Sequence, residues 1–224
     1  MIETLFVLLG RVVAVIVALS FHEFAHGWVA YKNGDITPKL YGRLTLNPLA
    51  HFDLIGTLML IICGFGWAKP VPINPNNFNH TKKGIFTTAI AGVTANYILA
   101  FLAFGLYALN IFLSGIIYAY APDSVLYMIV DNIAYWLFVI DISLFLFNLI
   151  PIFPLDGFRV VESFAKPGNS YCSFMRRYGQ FLLLGLLIAG NLFSRYDLIG
   201  LYMNTAGYYI SWPIQKFWIW VFGL

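Results

Sequence analysis

Charged side chains are scarce in this sequence. Lys, Arg, Asp and Glu make up 10% of its 224 residues, whereas soluble globular proteins carry about 25%. Hydrophobic residues make up 60% of the chain, and the mean hydropathy is +0.78. This balance excludes an ordinary soluble domain and predicts a helical chain that crosses a membrane several times.

Cysteine is almost absent as well. Cys63 and Cys172 are isolated in apolar or basic surroundings, which excludes a disulfide framework and a thiolate metal site. The sequence also lacks a phosphate-binding glycine loop, an internal repeat and a low-complexity tract. The net charge of +3 comes from basic loops, which in a membrane protein indicate orientation and do not predict a nucleic-acid partner.

A polar motif interrupts the first apolar segment. Residues 21–27 read FHEFAHG within an otherwise apolar run from 12 to 31. On a helix, His22 and His26 project from one face and can bind one metal ion, and Glu23 lies beside them, free to act as a base. Ionisable groups at membrane depth are costly, so this motif predicts a functional site. The alternative is a set of buried polar groups that give helix packing its specificity.

Apolar segments occupy about 5–31, 54–66, 85–119, 125–150, 179–193 and 205–223. They predict an α-helical polytopic membrane protein with about five to six transmembrane helices, in one membrane-embedded domain over 1–224 whose catalytic core covers about 5–165. The segment 54–66 is too short to span comfortably, and closely spaced prolines follow it. We therefore expect a short re-entrant or β-hairpin segment around 54–76. The segment 85–119 is compatible with one tilted helix or two short ones.

The basic residues favour this re-entrant topology. If 54–66 does not cross, ten of the 13 Lys and Arg residues lie on one side, which is cytoplasmic by the positive-inside rule. With this number of membrane crossings, the fourth segment also ends on the cytoplasmic side, at the level of His22 and His26. The ten residues are Lys32, Lys39, Arg43, Lys69, Lys82, Lys83, Arg159, Lys166, Arg176 and Arg177.

The fourth segment ends in the irregular stretch 147–157, which reads FNLIPIFPLDG. Irregular backbone at this depth must be buried in protein or line a cavity. A catalytic zinc takes three protein ligands, so two histidines need one more. Asp156 is the preferred third ligand, although an Asp here can also be a helix N-cap. Asp141 is the rival, which we expect to be a buried, hydrogen-bonded carboxylate.

Five blocks together resemble the site-2 protease family, most closely its compact prokaryotic branch without PDZ or CBS domains. They read FHEFAHG at 21–27, GD at 34–35, GRLTLNP at 42–48, GWAKPVP at 66–72 and FNLIP to DG over 147–157. The resemblance covers 12 to about 165 in order. Val93 stands where the family usually has a proline after Ala91-Gly92, which predicts a weaker local bend before Asn96.

The resemblance implies an intramembrane zinc endopeptidase that binds one Zn²⁺ through His22, His26 and Asp156, with Glu23 as the catalytic base. It also implies that Asn148, and with it Asn96, orders the substrate or the developing oxyanion. The expected partners are transmembrane-helix proteins and the lipid bilayer, in a prokaryotic cell membrane with the active site toward the cytoplasm. The alternatives are an inactive helix-binding protein, which would be expected to lose Glu23, and a metal-dependent transporter, which repeats would favour.

Overall fold

Long α-helices dominate the protein. The computed structural model describes residues 2–56, 58, 68–120, 124–193 and 197–224. The long helices are α1 (Ile2–Lys32), α4 (Thr81–Tyr120), α5 (Val125–Leu149), α7 (Ser170–Leu192) and α8 (Leu198–Phe222). Shorter helical elements are α2 (Thr37–Leu40), α3 (Pro48–His51), α6 (Asp156–Phe164) and a 3-10 helix at Pro75–Asn77.

Three of these helices are long and apolar enough to cross a membrane. The candidate spans are Thr4–Lys32, Thr81–Ile117 and Val125–Leu149. In hydrocarbon every backbone polar group must be paired within the protein, and a long helix pairs these groups within itself. The predicted class, an α-helical polytopic membrane protein, is therefore confirmed, and the total of five to six spans stays a prediction.

Helices α1, α4 and α5 pack against one another through small residues. Ala14, Ala18 and Ala100 have no exposed surface, and small side chains let helix backbones approach closely. Helix α8 joins the same core, because Ile214 packs with Phe138 and Leu146 of α5. The core around the predicted site is thus built from three helices, with α8 packed on the outer side of α4 and α5.

The flanks of the predicted re-entrant segment meet on one side of the molecule. The Lys69 N–H donates to the His51 carbonyl at 3.0 Å, and the Asn79 N–H donates to the Asn33 carbonyl at 2.8 Å. A segment that starts and ends at the same place does not cross between opposite faces. This agrees with the predicted re-entrant path, although 59–67 lies outside the described residues.

The described residues of the predicted hairpin, 54–56, 58 and 68–76, contain no strand, and 68–76 is the longest of these stretches. The backbone of this stretch is irregular until the 3-10 helix at Pro75–Asn77. Pro70, Pro72 and Pro75 each lack the N–H that a strand ladder needs, which explains why no ladder forms there. A hairpin around 54–76 is therefore not formed in this part of the segment.

The third apolar segment forms one continuous helix. Helix α4 has 40 residues, so the alternative of two short helices is wrong. Val93 is 1% exposed and has the N–H that a proline would lack. The helix consequently continues past this position toward Asn96.

Helix α5 ends just before Pro151, and a short turn leads to α6. Proline disfavours a helical conformation of the residue before it. Helix α6 begins at Asp156 after the N-cap Leu155, so the N-cap alternative for Asp156 is wrong. A Cβ on Gly157 would lie 2.5 Å from the carbonyl carbon of Leu149. Glycine is thus required where the start of α6 packs against the end of α5.

Candidate active site

Three predicted ligand side chains converge between α1 and α6. His22 and His26 are one turn apart on α1, and their Nε2 atoms are 3.0 Å apart. The Oδ2 atom of Asp156 lies 3.3 Å from Nε2 of His22 and 3.1 Å from Nε2 of His26. All three residues are at most 9% exposed. The structure therefore brings together the two histidines and the preferred third ligand.

The opposite ring nitrogens of both histidines are held by α4. Nδ1 of His26 lies 2.7 Å from the Thr88 carbonyl oxygen, and a carbonyl can only accept a hydrogen bond. Nδ1 of His26 must therefore carry the proton, which leaves the lone pair of a neutral ring on Nε2. Nδ1 of His22 lies 2.6 Å from Oδ1 of Asn96, an arrangement that orients His22 in the same way.

Gly92 lets α4 approach the histidines closely. A Cβ at this position would lie 2.6 Å from Cε1 of His22 and closer still to Nε2 of His26. Thr88 and Asn96 lie one turn before and one turn after Gly92, so both can reach the rings. The close approach of α4 thus gives the histidines their hydrogen-bond partners.

The donor set fits a zinc ion. Two ligand atoms of a tetrahedral zinc at its usual bond lengths are about 3.3 Å apart, close to the 3.0, 3.1 and 3.3 Å found here. Two imidazole nitrogens and one carboxylate oxygen form a typical catalytic zinc set with a position left for water. Second partners for ligating histidines, such as Thr88 and Asn96, are also usual at zinc sites.

Glu23 is next to His22 in the sequence and points toward the segment after the re-entrant region. Its Oε2 atom accepts a hydrogen bond of 3.0 Å from the Val71 N–H. Glu23 is partly exposed, in contrast to the buried histidines. A carboxylate beside the ligands can take part in proton transfer, and the contact places residues 70–74 at the edge of the site.

Two buried charged residues fix the ends of the segment 70–74. The Arg43 guanidinium donates to the Pro70 carbonyl at 3.3 Å and to the Ala50 carbonyl. The Asp35 carboxylate accepts from the Asn74 N–H at 2.7 Å. Arg43 is 6% and Asp35 0% exposed, so both contacts are shielded from water and hold the segment beside Glu23.

The other hydrogen bonds of Asp35 determine its ionisation. Oδ1 accepts from the Thr37 hydroxyl at 2.5 Å, from the Thr37 N–H at 3.0 Å and from the Asn77 amide at 2.8 Å. Burial alone would raise the pKa of this carboxyl, but these bonds and the Asn74 N–H outweigh burial and lower the pKa of Asp35 below its ordinary value. Asp35 is consequently an ionised group at neutral pH.

Asp141 and Asn148 lie outside the cluster of three ligands. Asp141 is 0% exposed, and its Oδ1 accepts from Nδ2 of Asn96 at 2.5 Å, so the expected buried, hydrogen-bonded carboxylate is confirmed. Nδ2 of Asn148 donates to the Leu144 carbonyl of its own helix at 3.1 Å. The role of Asn148 in ordering substrate stays a prediction.

Some site residues could not be identified from the sequence. Thr88 acts through its backbone carbonyl, which leaves no signature in residue type. Asp35 and Arg43 stand within the GD and GRLTLNP blocks, but those blocks do not reveal what their side chains bind. Asn96 was predicted to order substrate or oxyanion, yet it is 0% exposed and both ends of its amide are hydrogen-bonded, which favours a role in positioning His22.

Comparison with known proteins gives a consistent result. The model of Peptidase family M50 matches residues 10–186. The chain belongs to this family. It is 35% identical over 207 residues to "Putative zinc metalloprotease YwhC" of Bacillus subtilis, covering 91% of this chain and 84% of that protein.

Two mycobacterial proteins named "Putative zinc metalloprotease Rip2" are also similar. The Mycolicibacterium smegmatis protein is 26% identical over 91% of this chain and 78% of its own length. The Mycobacterium tuberculosis protein is 29% identical over 77% of this chain and 63% of its own length. No solved structure gives a significant match.

Family membership confirms the enzyme class. M50 proteins are the site-2 proteases, so this chain is an intramembrane zinc metalloprotease with a Zn²⁺ cofactor. Regulated proteolysis is the usual role of the family. The apolar helices and the family make it an integral membrane protein in a lipid environment, with membrane-embedded substrates.

Proposed function

We propose that His22, His26 and Asp156 bind the zinc of this protease and that Glu23 is its catalytic base. The observation that carries the proposal is the convergence of three ligand atoms within 3.0 to 3.3 Å of one another. The Nδ1 atom of each histidine faces α4, so the Nε2 lone pairs face Asp156. The neighbouring Glu23 then supplies the proton acceptor that hydrolysis needs.

The chemistry divides between the metal and the protein. Zinc bound at this site supplies the Lewis acidity that activates water and polarises a peptide carbonyl. Glu23 accepts the proton of the attacking water and returns it to the nitrogen of the leaving amine. His22 and His26 donate hydrogen bonds from Nδ1 to Oδ1 of Asn96 and to the Thr88 carbonyl, and Asp156 supplies the anionic oxygen.

We infer that substrates are single transmembrane helices that unwind locally and pair with residues 71–74. A helix hides its carbonyls in internal hydrogen bonds, so the scissile bond must first be exposed. Among the described residues, the Ile73 N–H and carbonyl make no hydrogen bond. An extended peptide can add to such a backbone edge as a strand, close to Glu23 because Glu23 contacts Val71.

We further propose that 1–224 is one protease domain in a prokaryotic cell membrane, with the active site toward the cytoplasm. The basic residues between α1 and α4 and after α5 support this orientation by the positive-inside rule. Contacts of α8 with the core support a single domain, since Trp218 donates through Nε1 to the Phe101 carbonyl of α4 at 2.9 Å.

Metal analysis combined with cleavage of a panel of single-span substrates tests the site. Glu23→Gln removes the proton acceptor and keeps size, so it should abolish cleavage while one zinc per chain remains. Asp156→Ala leaves two protein ligands and should reduce both zinc content and cleavage. Glu162→Gln is the matched control, because Glu162 pairs with Arg176 at 2.6 Å away from the cluster.

The competing functions make different predictions in this experiment. An inactive helix-binding protein or a metal transporter would show no cleavage in the wild-type protein that Glu23→Gln could remove. Cleavage that survives Glu23→Gln, with contaminating protease excluded, would contradict the assignment of the base. Full zinc content in Asp156→Ala would contradict the assignment of the third ligand.

A further inference from the structure

A chain of hydrogen bonds connects His22 to a carboxylate on α5. Nδ1 of His22 lies 2.6 Å from Oδ1 of Asn96 on α4. Nδ2 of Asn96 lies 2.5 Å from Oδ1 of Asp141 on α5 and 3.4 Å from the Ala18 carbonyl oxygen. The three helices that form the core each contribute one member of this chain.

The partners of Asn96 determine which way its amide faces. Both groups near Nδ2, the Asp141 carboxylate and the Ala18 carbonyl, are hydrogen-bond acceptors. If the amide were turned over, its oxygen would face these two acceptors and its NH₂ group would face His22. Asp141, with the shorter of the two contacts, therefore favours the observed orientation.

The orientation of Asn96 in turn determines the tautomer of His22. The amide oxygen can only accept, so Nδ1 of His22 must carry the proton and donate it in the hydrogen bond, which leaves the lone pair of the neutral ring on Nε2. Nε2 is the atom that faces Asp156 and His26. A turned amide would instead favour a proton on Nε2, which cannot then bind a metal ion.

Burial of Asp141 argues for a function beyond helix packing. It is 0% exposed and lies inside the candidate span Val125–Leu149. An ionisable side chain at such a position is energetically costly, and its presence indicates a functional role. A second Asn–Asp pair joins the same two helices, with Nδ2 of Asn110 at 3.1 Å from Oδ1 of Asp131. Within the part of the chain that the structure describes, Asn110 makes no hydrogen bond to a histidine, so this second pair serves as the comparison for an Asn–Asp contact that only joins the two helices.

We propose that Asp141 is a positioning residue that acts through the amide of Asn96 to fix His22 in the tautomer that binds zinc. This proposal rests on the zinc site proposed above. It assigns to Asp141 and Asn96 a role in metal affinity, and it does not require either residue to contact substrate.

The test uses the difference between an amide and a carboxylate at position 96. Asp141→Leu removes the acceptor and leaves the amide free to turn, so zinc affinity measured by chelator competition should fall by about 10- to 100-fold, as for other residues behind zinc ligands. Asn96→Asp puts an acceptor at both ends of the side chain, which then needs no orienting partner. In the Asn96→Asp background, Asp141→Leu should therefore not lower zinc affinity, because the side chain at 96 has an acceptor at either end and the substitution also removes the repulsion between two adjacent carboxylates.

Controls separate this role from helix packing. Asp131→Leu removes the comparable contact between the same helices and should leave zinc affinity unchanged. Asp141→Asn keeps an acceptor oxygen at position 141 and should retain most of the affinity. An equal loss from Asp141→Leu in both backgrounds, or an equal loss from Asp131→Leu, would overturn the proposal.

The wild-type protein provides a readout that needs no variant. In the zinc-bound protein, ¹⁵N NMR of the His22 ring should show a proton on Nδ1 and none on Nε2; zinc-free protein does not serve here, because the Asp156 carboxylate 3.3 Å from Nε2 favours a proton on that atom as well. A wild-type ring protonated on Nε2 would overturn the proposal even if Asp141→Leu did not fold. Zinc content of Asp156→Ala is measured in parallel. If it equals that of the wild type, the zinc site itself is wrong, whereas loss of zinc there together with no effect at Asp141 refutes only the role of Asp141.

Discussion

Gly92 sets how closely α4 approaches the two histidines. Its missing side chain leaves the space that the His22 and His26 rings occupy, and any Cβ there would overlap them. Overpacking of a buried site typically costs about 1–3 kcal/mol and displaces the neighbouring groups. The neighbours here are the proposed metal ligands, so the effect should appear in zinc binding.

We predict that Gly92→Ala lowers zinc affinity by at least about tenfold, the lower end of the effect seen when ligand orientation is disturbed. Gly115→Ala is the matched control on the same helix, because a Cβ at Gly115 meets no atom within 4 Å. Chelator competition on both purified variants measures the effect. Equal affinity of the two variants would show that α4 does not constrain the rings.

Asp35 should make the stability of the protein depend on pH. Its pKa is lower in the folded protein than its ordinary value, so its contribution is fully present above the unfolded-state pKa of about 3.9. The contribution is lost as the pH falls through the lower, folded-state pKa. Asp35→Asn should reduce the free energy of unfolding by about 2 kcal/mol at neutral pH, because hydrogen bonds to a buried charge are lost.

Unfolding in detergent as a function of pH measures this effect. The difference between the wild type and Asp35→Asn should be constant around neutral pH and shrink in acid. Asp197→Asn is the control, since Asp197 is the exposed N-cap of α8 and asparagine replaces aspartate well at an N-cap. A difference that grows in acid would contradict the sign of the pKa shift.

The sequence predicts the site best where residue type and spacing are sufficient. His22 and His26 share a helix face because they are four residues apart, and the need for a third ligand leads to Asp156. Spacing does not predict the hydrogen-bond partners of the rings, because Asn96 and Thr88 approach from a different helix. Their positions depend on how α4 packs, which the periodicity of one sequence does not contain.

At the scale of elements, the segment from 68 to 77 differs most from expectation. Its prolines correctly predict that no regular α-helix forms there, but they also remove the donors that a β-hairpin would use. The segment instead depends on side chains from elsewhere, with Arg43 at Pro70 and Asp35 at Asn74. Such tertiary contacts cannot be read from local propensity, which explains the difference.

The backbone of Ile73 should be needed for substrate pairing. Ile73→Pro removes the N–H that an added strand would bond, whereas Ile73→Ala keeps it and shortens only the side chain. We expect Ile73→Pro to lower kcat/KM by at least about tenfold, the cost of one lost hydrogen bond in the substrate complex. Ile73→Ala should lower it by much less.

Cleavage of a single-span substrate in liposomes, with zinc content checked in both variants, measures this difference. Zinc should stay bound in each, because Ile73 is not among the proposed ligands. A large loss with Ile73→Ala and none with Ile73→Pro would indicate a side-chain pocket in place of strand pairing.

At the scale of the whole molecule, the number of membrane crossings between α1 and the end of α5 determines whether the site can form. Helix α1 carries the histidines near its C-terminal end, and α5 delivers Asp156 just beyond its own C-terminal end. These two ends meet only if α4 is a single helix and the segment before it does not cross. The single helix is found, and the bond between Lys69 and His51 supports the non-crossing path.

Cysteine labelling can test this topology in intact cells or oriented vesicles. In a chain with Cys63 and Cys172 replaced by alanine, we expect Lys39→Cys and Asn76→Cys to react with an impermeant thiol reagent from the cytoplasmic side. Val125→Cys, beside the Ser124 N-cap of α5 and 52% exposed, should react from the outside. Single-span substrates should then be cut nearer their cytoplasmic ends, because the proposed metal site lies near the C-terminal ends of α1 and α5, which this topology places on the cytoplasmic side.

The three positions control for one another, since each is exposed and each labelling reaction uses the same chemistry. Reaction of positions 39 and 76 from opposite sides would mean that 54–66 crosses the membrane. The ends of α1 and α5 would then face opposite leaflets, and Asp156 could not reach His22 and His26. Reaction of 39 and 76 from the outside, with 125 inside, would preserve the site but invert it, and cleavage should then move toward the outer ends of the same substrates.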